Sequence, residues 1–269
     1  YQGVASKGKI AKNEVTQWTY QGVNPNRKLP EEPMLEQSER NMETNLPNNQ
    51  DKRRWENPFR VSLTGGPALL LGSTDKAIEN LQNKGVPQEL AENYYSDLIS
   101  GYSGKTSIYY RISKDYWLGA LYDGFYSDAE ELTKIDFDNV NWYYGEMGER
   151  IFVNFTGISL FSSSTFGRKK RLAFHSSYSL GPVFYHNRVE QLNQQILIKG
   201  TSLGQNLDFG LEYFIKSRWS VGLDASLFLS ILKNITVSTL SSSQKIELEK
   251  DNYENLSQLN FSYSLAFYW

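Results

Sequence analysis

The chain has 269 residues, a formal net charge of -2 and no cysteine. That length suits one large or two small domains. The charge offers no global basic field to a nucleic acid, and the lack of cysteine excludes disulfide scaffolds, thiolate zinc sites, thiol catalysis and a lipid anchor on cysteine. No run approaches the ~18 apolar residues of a membrane-crossing helix. A low mean hydropathy also suits a transmembrane barrel, whose strands alternate apolar and polar residues. Nothing at Tyr1 reads as an export signal, so the expectation is either a cytosolic chain or a mature one whose signal has been removed.

Residues 1–57 differ from the rest. Five of the eight prolines (Pro25, Pro30, Pro33, Pro47 and Pro58) fall in the first 58 residues, charges of both signs are dense, and periodicity is poor. The tetrapeptide YQGV occurs at Tyr1–Val4 and Tyr20–Val23, too short for a repeat domain. The segment reads as an extended or disordered arm. Trp18, Tyr20, Met34, Leu35 and Trp55 supply contact points but no core. Such segments order on a partner, here expected to be another envelope protein.

From residue 58 onward the chain reads as a barrel. Segments 59–72, 102–112, 116–127, 150–161, 171–185, 202–214, 219–230 and 259–269 alternate with the period of a strand. Most exceed the ~5–6 residues of a globular strand and match the ~9–11 that span a bilayer. Short connections (Ser113–Asp115, SSSTFGRKK, IKSR) alternate with long ones at 73–101, 128–149, 186–201 and 231–258. This predicts an all-β, eight-stranded antiparallel up-and-down transmembrane barrel, with both termini and the arm on the short-turn, periplasmic side. In the first long loop, Pro87 followed by Leu90, Tyr94, Leu98 and Tyr102 predicts a short helix at the barrel mouth. A soluble barrel with its apolar face inward is the alternative, and strand length and loop asymmetry favour the membrane form.

Alternation assigns the faces. The lipid-facing set includes Phe59, Val61, Leu63, Ile108, Tyr110, Leu118, Ile151, Val153, Phe155, Phe174, Leu211 and Leu223. Tyr102, Tyr116, Trp117, Tyr126, Trp219 and Trp269 fit interfacial girdles. Lipid hydrates no charge, so Arg60, Lys105, Arg111, Asp123, Arg150, His175, Asp208, Glu212 and Asp224 are expected to form a polar network in the lumen. Eight strands enclose a space that side chains can fill, so the network reads as a plug rather than a pore; a narrow channel is the competing reading.

Candidate chemistry is sparse. His175 shares a strand face with Ser177, and a Ser–His pair is the minimum for a lipid-modifying acyl hydrolase. A lumenal histidine in a polar network is the stronger reading. His186 falls just past its strand and reads as a loop residue. The acidic loop 127–138 has no spacing that matches a calcium loop. The basic cluster Arg168–Arg171 lies in a short turn, where it would meet anionic headgroups or water. LTGGPALLLG lacks the lysine and helix of a phosphate cradle. No cofactor or metal is expected, and the chain reads as non-enzymatic.

The segments LISGYSGKTSIYYRISKDYWLGALYDGFYS, MGERIFVNFTGISL, IKGTSLGQNLDFGLEYF and QKIELEKDNYENLSQLNFSYSLAFYW resemble small outer-membrane β-barrel proteins of Bacteroidota. The resemblance covers residues 59–269. It implies an eight-stranded barrel in the bacterial outer membrane, bathed in lipid and lipopolysaccharide and inserted by the barrel assembly machinery, and it implies no activity. The C-terminal aromatics Phe267 and Trp269 resemble the signal that this machinery reads. The expected role is an accessory subunit of a larger cell-envelope complex.

Overall fold

The computed structural model describes residues 57–136, 142–168, 170–191 and 194–269. The arm expected over residues 1–57, with Trp18, Tyr20, Met34, Leu35 and Trp55, lies outside the described residues apart from residue 57. The elements in chain order begin with β1 (Phe59–Leu70), helices α1 (Asp75–Asn83) and α2 (Gln88–Ile99), β2 (Ser100–Arg111), β3 (Tyr116–Asp136) and β4 (Trp142–Phe166). β5 (Leu172–Gln191), β6 (Gln194–Phe214) and β7 (Trp219–Leu232) follow, then the short β8 (Asn234–Ser238), β9 (Ser243–Glu247) and β10 (Glu254–Asn255). β11 (Gln258–Tyr268) ends the fold and pairs antiparallel with both β7 and β1. The eight long strands therefore close into a barrel with no free edge.

Closure matters because backbone groups facing lipid have no water to bond. The surface of the barrel is that of a membrane protein. Leu63, Ile108, Leu118, Ile158, Phe174, Leu203, Leu211, Leu223, Phe261 and Leu265 are all exposed, whereas the buried Ser, Asn and charged side chains lie inside, together with apolar and aromatic ones. Such an apolar belt is too large to face water. Tyr102, Tyr116, Trp219 and Trp269 stand exposed on it. Trp117, expected in the girdle, is instead buried, packed edge-on to Phe161 with the Arg111 guanidinium over its ring. It follows Tyr116 by one residue, so the pleat turns it inward.

The phase of β4 also differs from the sequence reading. Ile151, Val153 and Phe155 are buried, and Phe152, Ile158 and Leu160 face out. The run RIFVNFTGISLF is apolar on both faces, so hydropathy alone does not fix its parity. Register does: Asp123 of β3 pairs with Phe155, which puts both in the lumen.

Two expected loops are largely strand. β3 and β4 stay paired from Tyr116–Ser162 to Asp136–Trp142, and β5 and β6 from Leu172–Tyr213 to Gln191–Gln194. The 21-residue β3 rises roughly 70 Å at about 3.4 Å per residue, well beyond a hydrocarbon core of about 30 Å. His186 accordingly lies on β5 rather than in a loop. Above the membrane neither face of a hairpin needs to be apolar, so the two-faced pattern fades while the ladder continues. β8 and β9 extend this part of the sheet beyond β6. α2 starts after Pro87 and buries Ala91, Tyr94 and Leu98; Tyr102, placed on the same helix by spacing, belongs to β2 and is exposed.

The seam at the chain end is tight. Trp269 donates its backbone N–H to Phe59 O at 3.1 Å and accepts from Phe59 N–H at 3.0 Å. Its ring stacks on Phe59 and Phe267. Deleting Trp269 removes this pair of bonds, each worth about 1 kcal/mol, and its stacking surface. A lower yield of heat-modifiable barrel on unboiled gels is expected, both in cells and on refolding into detergent. An unchanged yield in both settings would show that the seam does not need this residue.

Candidate functional site

The lumen is filled in three layers. The floor, toward the short turns, is aromatic: Tyr109, Trp117 and Phe161 are buried together. The ceiling, toward the long loops, is apolar. Leu121, Phe125, Val153, Phe155, Val183 and Phe228 form one cluster with the buried side of α2. Between them lies a polar middle.

One half of that middle is centred on Glu212. Arg60 forms a buried ion pair with it through Nη2. Tyr268 donates its hydroxyl to Glu212 Oε2 at 2.7 Å and accepts from Arg60 Nε at 3.1 Å. Ser220 donates to the same carboxylate at 3.2 Å. The Arg60 guanidinium also lies 4.3 Å from the centre of the Phe161 ring, a cation–π contact with the floor. Register accounts for the meeting, because Arg60 pairs with Tyr268 across the β1–β11 seam.

The other half is centred on Lys105. Its ammonium donates to Asp208 Oδ1 and Ser226 Oγ, each at 2.5 Å, and lies 3.6 Å from Asp123. Asp208 also accepts from Ser177 at 2.8 Å. Lys105 stands opposite Asp123 in the β2–β3 ladder, and Asp208 is flanked in register by Ser177 and Ser226.

His175 and Asp224 lie beside the Glu212 half. Its Nε2 lies 2.6 Å from Asp224 Oδ1 and its Nδ1 lies 3.6 Å from Glu212. The strand between His175 and Asp224 contributes Gly210, in register with both. A Cβ there would sit 2.2 Å from Asp224 Oδ1 and 2.5 Å from the imidazole. Glycine is thus what allows the bond to pass over the intervening strand. The Ser177 hydroxyl is bound to Asp208 rather than to His175, so the two do not form a nucleophile–base pair. The cavity bordered by this network holds about 30 Å³, room for a water or two but not for an acyl chain.

The structure therefore brings together Arg60, Lys105, Asp123, His175, Asp208, Glu212 and Asp224. It does not add Arg111 or Arg150. Arg111 turns toward the short-turn rim, where its guanidinium donates to the backbone oxygens of Ser113 and Lys114. Arg150 is exposed on the outer face, one residue out of phase with the lumen. The inward charge of β4 is its neighbour Glu149, which sequence reasoning missed. Glu149 accepts from Asn187 at 2.5 Å and from the Tyr94 hydroxyl of α2 at 3.3 Å. Burial pushes its carboxyl above the ordinary range, and the bonds from Asn187 and Tyr94 only partly oppose this. Tyr268, Asn206, Ser220 and Ser226 were also missed as named members. Their parity with Asn260, Ser262 and Ser264, or with Asp208, was the available signal.

Among the described residues no cluster of His, Asp and Glu has the arrangement of a metal site. No family model matches the chain, and no curated protein matches it. Solved structures give weak likenesses. Neisserial surface protein A is 14% identical with a TM-score of 0.41, over 78% of this chain and 97% of that one. The outer membrane protease OmpT from Escherichia coli is 8% identical with a TM-score of 0.42, over 80% and 97%. The N-terminal β-barrel domain of Pseudomonas aeruginosa OprF is 12% identical with a TM-score of 0.33, over 78% and 97%.

Three outcomes are expected from this geometry. Glu212→Ala leaves the Arg60 guanidinium buried without its carboxylate and lowers stability by about 3–5 kcal/mol, whereas Arg60→Met with Glu212→Leu recovers most of the loss. Urea unfolding in detergent measures both, and a double variant as unstable as the single one contradicts the pairing. Gly210→Val separates His175 from Asp224 and lowers the same unfolding midpoint. Glu149 has its carboxyl pKa raised in the fold. It therefore favours the folded state when protonated, and this contribution is lost as pH rises through the raised value. Amide exchange of α2, corrected for intrinsic rate, is expected to be slower at pH 5 than at pH 8, and Glu149→Gln should abolish the difference.

Proposed function

We propose that this chain is a non-enzymatic, non-conducting barrel of the bacterial outer membrane that serves as an anchoring subunit of a larger envelope assembly. In this reading the short turns, both chain ends and the arm of residues 1–57 face the periplasm, and the long hairpins face outward. The observation that carries the reading is the filling of the lumen by aromatic, ionic and apolar layers, with a cavity of about 30 Å³ beside the ionic layer. A barrel that invests its interior in rigidity offers no path for an ion or a solute. With the interior closed, recognition falls to the hairpins, the lid helices and the arm.

Phe267 and Trp269, which pack side by side on the outer face at the end of β11, suit recognition by the barrel assembly machinery. The His175 imidazole is buried, holds Asp224 through Nε2 and has no hydroxyl bonded to it, which gives no support to a lipid-modifying reaction. Planar-bilayer recordings of the purified chain are expected to show no steady conductance, and reproducible single-channel steps would overturn the closed-barrel reading. Detergent pull-downs with the full chain are expected to retain a stoichiometric envelope protein that is lost when residues 1–57 are removed. Identical monomers from both chains would sink the subunit role.

A further inference from the structure

Positive side chains from three adjacent strands line one cleft on the outer face of the barrel, in two neighbouring registers. Arg150 of β4 stands directly opposite Arg188 of β5, and His186 of β5 directly opposite Lys199 of β6. Arg150, Arg188 and Lys199 are exposed. Like charges placed directly opposite destabilise a sheet. Among the described residues no carboxylate comes within ion-pair distance of these three cations. Asp128 stands opposite Arg150 on β3 and faces the same cleft, at more than ion-pair distance from it. Glu190 lies farther along β5 toward the loops and accepts from Gln195 at 3.1 Å.

The cations border a cleft of about 660 Å³, with Phe152 and Asn154 on its membrane side. Just below it the outer face turns apolar, with Phe152, Ile158, Leu180, Phe184 and Leu203 all exposed. The cleft thus sits at the edge of the apolar belt, where headgroups lie. A phosphate monoester brings a charge of about -1.5 to -2 and three acceptor oxygens. Two guanidinium forks, an ammonium and an imidazole at one spot match that demand, and the aromatic and aliphatic wall beneath matches acyl chains.

We propose that this cleft binds the phosphorylated headgroup of a membrane lipid on the long-loop side, with Arg150 and Arg188 gripping the phosphate, Lys199 and His186 beside it, and the acyl chains lying along Phe152, Phe184 and Leu203. The choice of leaflet rests on the outer-membrane reading above. There the lipid is a phosphorylated, acylated glycolipid of the lipid A class. With Asp128 counted, the three cations leave the cleft at about +2, which a phosphate monoester of about -1.5 to -2 offsets, so binding relieves their repulsion.

The test uses the purified full chain in neutral detergent, with lipid retention read by native mass spectrometry. The probes are bisphosphorylated lipid A, the same lipid stripped of its phosphates, and inorganic phosphate. Lipid A is expected to be retained, with the stripped lipid weaker by about tenfold. Arg150→Gln with Arg188→Gln should lower lipid A retention by a similar factor while unboiled gels still show the folded barrel, and Lys199→Gln alone should give a smaller loss. Equal retention of the stripped lipid, or by the folded double variant, overturns the proposal. Inorganic phosphate that displaces lipid A at equal concentration assigns the cleft to soluble phosphate and overturns the lipid. These outcomes are separate from the barrel reading, which fails instead if the wild-type chain shows conductance or no heat-modifiable form.

Discussion

An eight-stranded barrel has an interior about as wide as the side chains that line it, so whatever charge enters must be neutralised there. Arg60 and Glu212 show the consequence. They come from β1 and β6, strands that do not pair with each other, and they form a buried ion pair across the lumen. Each ion would cost several kcal/mol to bury alone. With Tyr268 and Ser220 completing the carboxylate shell, the pair instead fixes how far apart the two walls stand. Lys105 does the same between β2 on one side and β6 and β7 on the other, through Asp208 and Ser226.

The remaining features follow from that filled interior. Because the ionic layer occupies only the middle, aromatic side chains close the short-turn end and an apolar cluster closes the other. The apolar ceiling gives α2 a surface on which to bury Ala91, Tyr94 and Leu98, so the lid packs as a continuation of the lumen rather than a separate cap. Glu149 marks the border between them, held by Asn187 from the barrel and Tyr94 from the lid. With the middle of the lumen occupied by side chains, the outer surface is where specific contacts have room. One uneven charge pattern there is the Arg150–Arg188 pairing at the edge of the apolar belt.

Much of this is legible in the sequence. The last strand reads plainly because its odd positions are large and apolar while Asn260, Ser262 and Ser264 are polar, and all three of those are buried. Arg60, Lys105, His175, Asp208 and Glu212 are equally readable, since each interrupts an apolar alternation on a clear parity. Arg150 was not. It adjoins Glu149, so either residue supplies a charge at the lumen depending on phase, and the neighbouring Ile151, Phe152 and Val153 satisfy lipid on both parities. The hairpin extensions were hidden for a related reason: above the bilayer neither face is obliged to be apolar, so a strand leaves no two-faced signature.

The sequence by itself determined the architecture, because lipid outside and side chains inside impose a period of two over a span set by bilayer thickness, and strand count and turn asymmetry follow from counting such spans. Only the tertiary structure decided which charges meet, since Arg60 and Glu212 lie 152 positions apart and are joined by closure of the sheet rather than by any local pattern. It also decided the phase of β4, because pairing register with Asp123, not hydropathy, turns Phe155 inward.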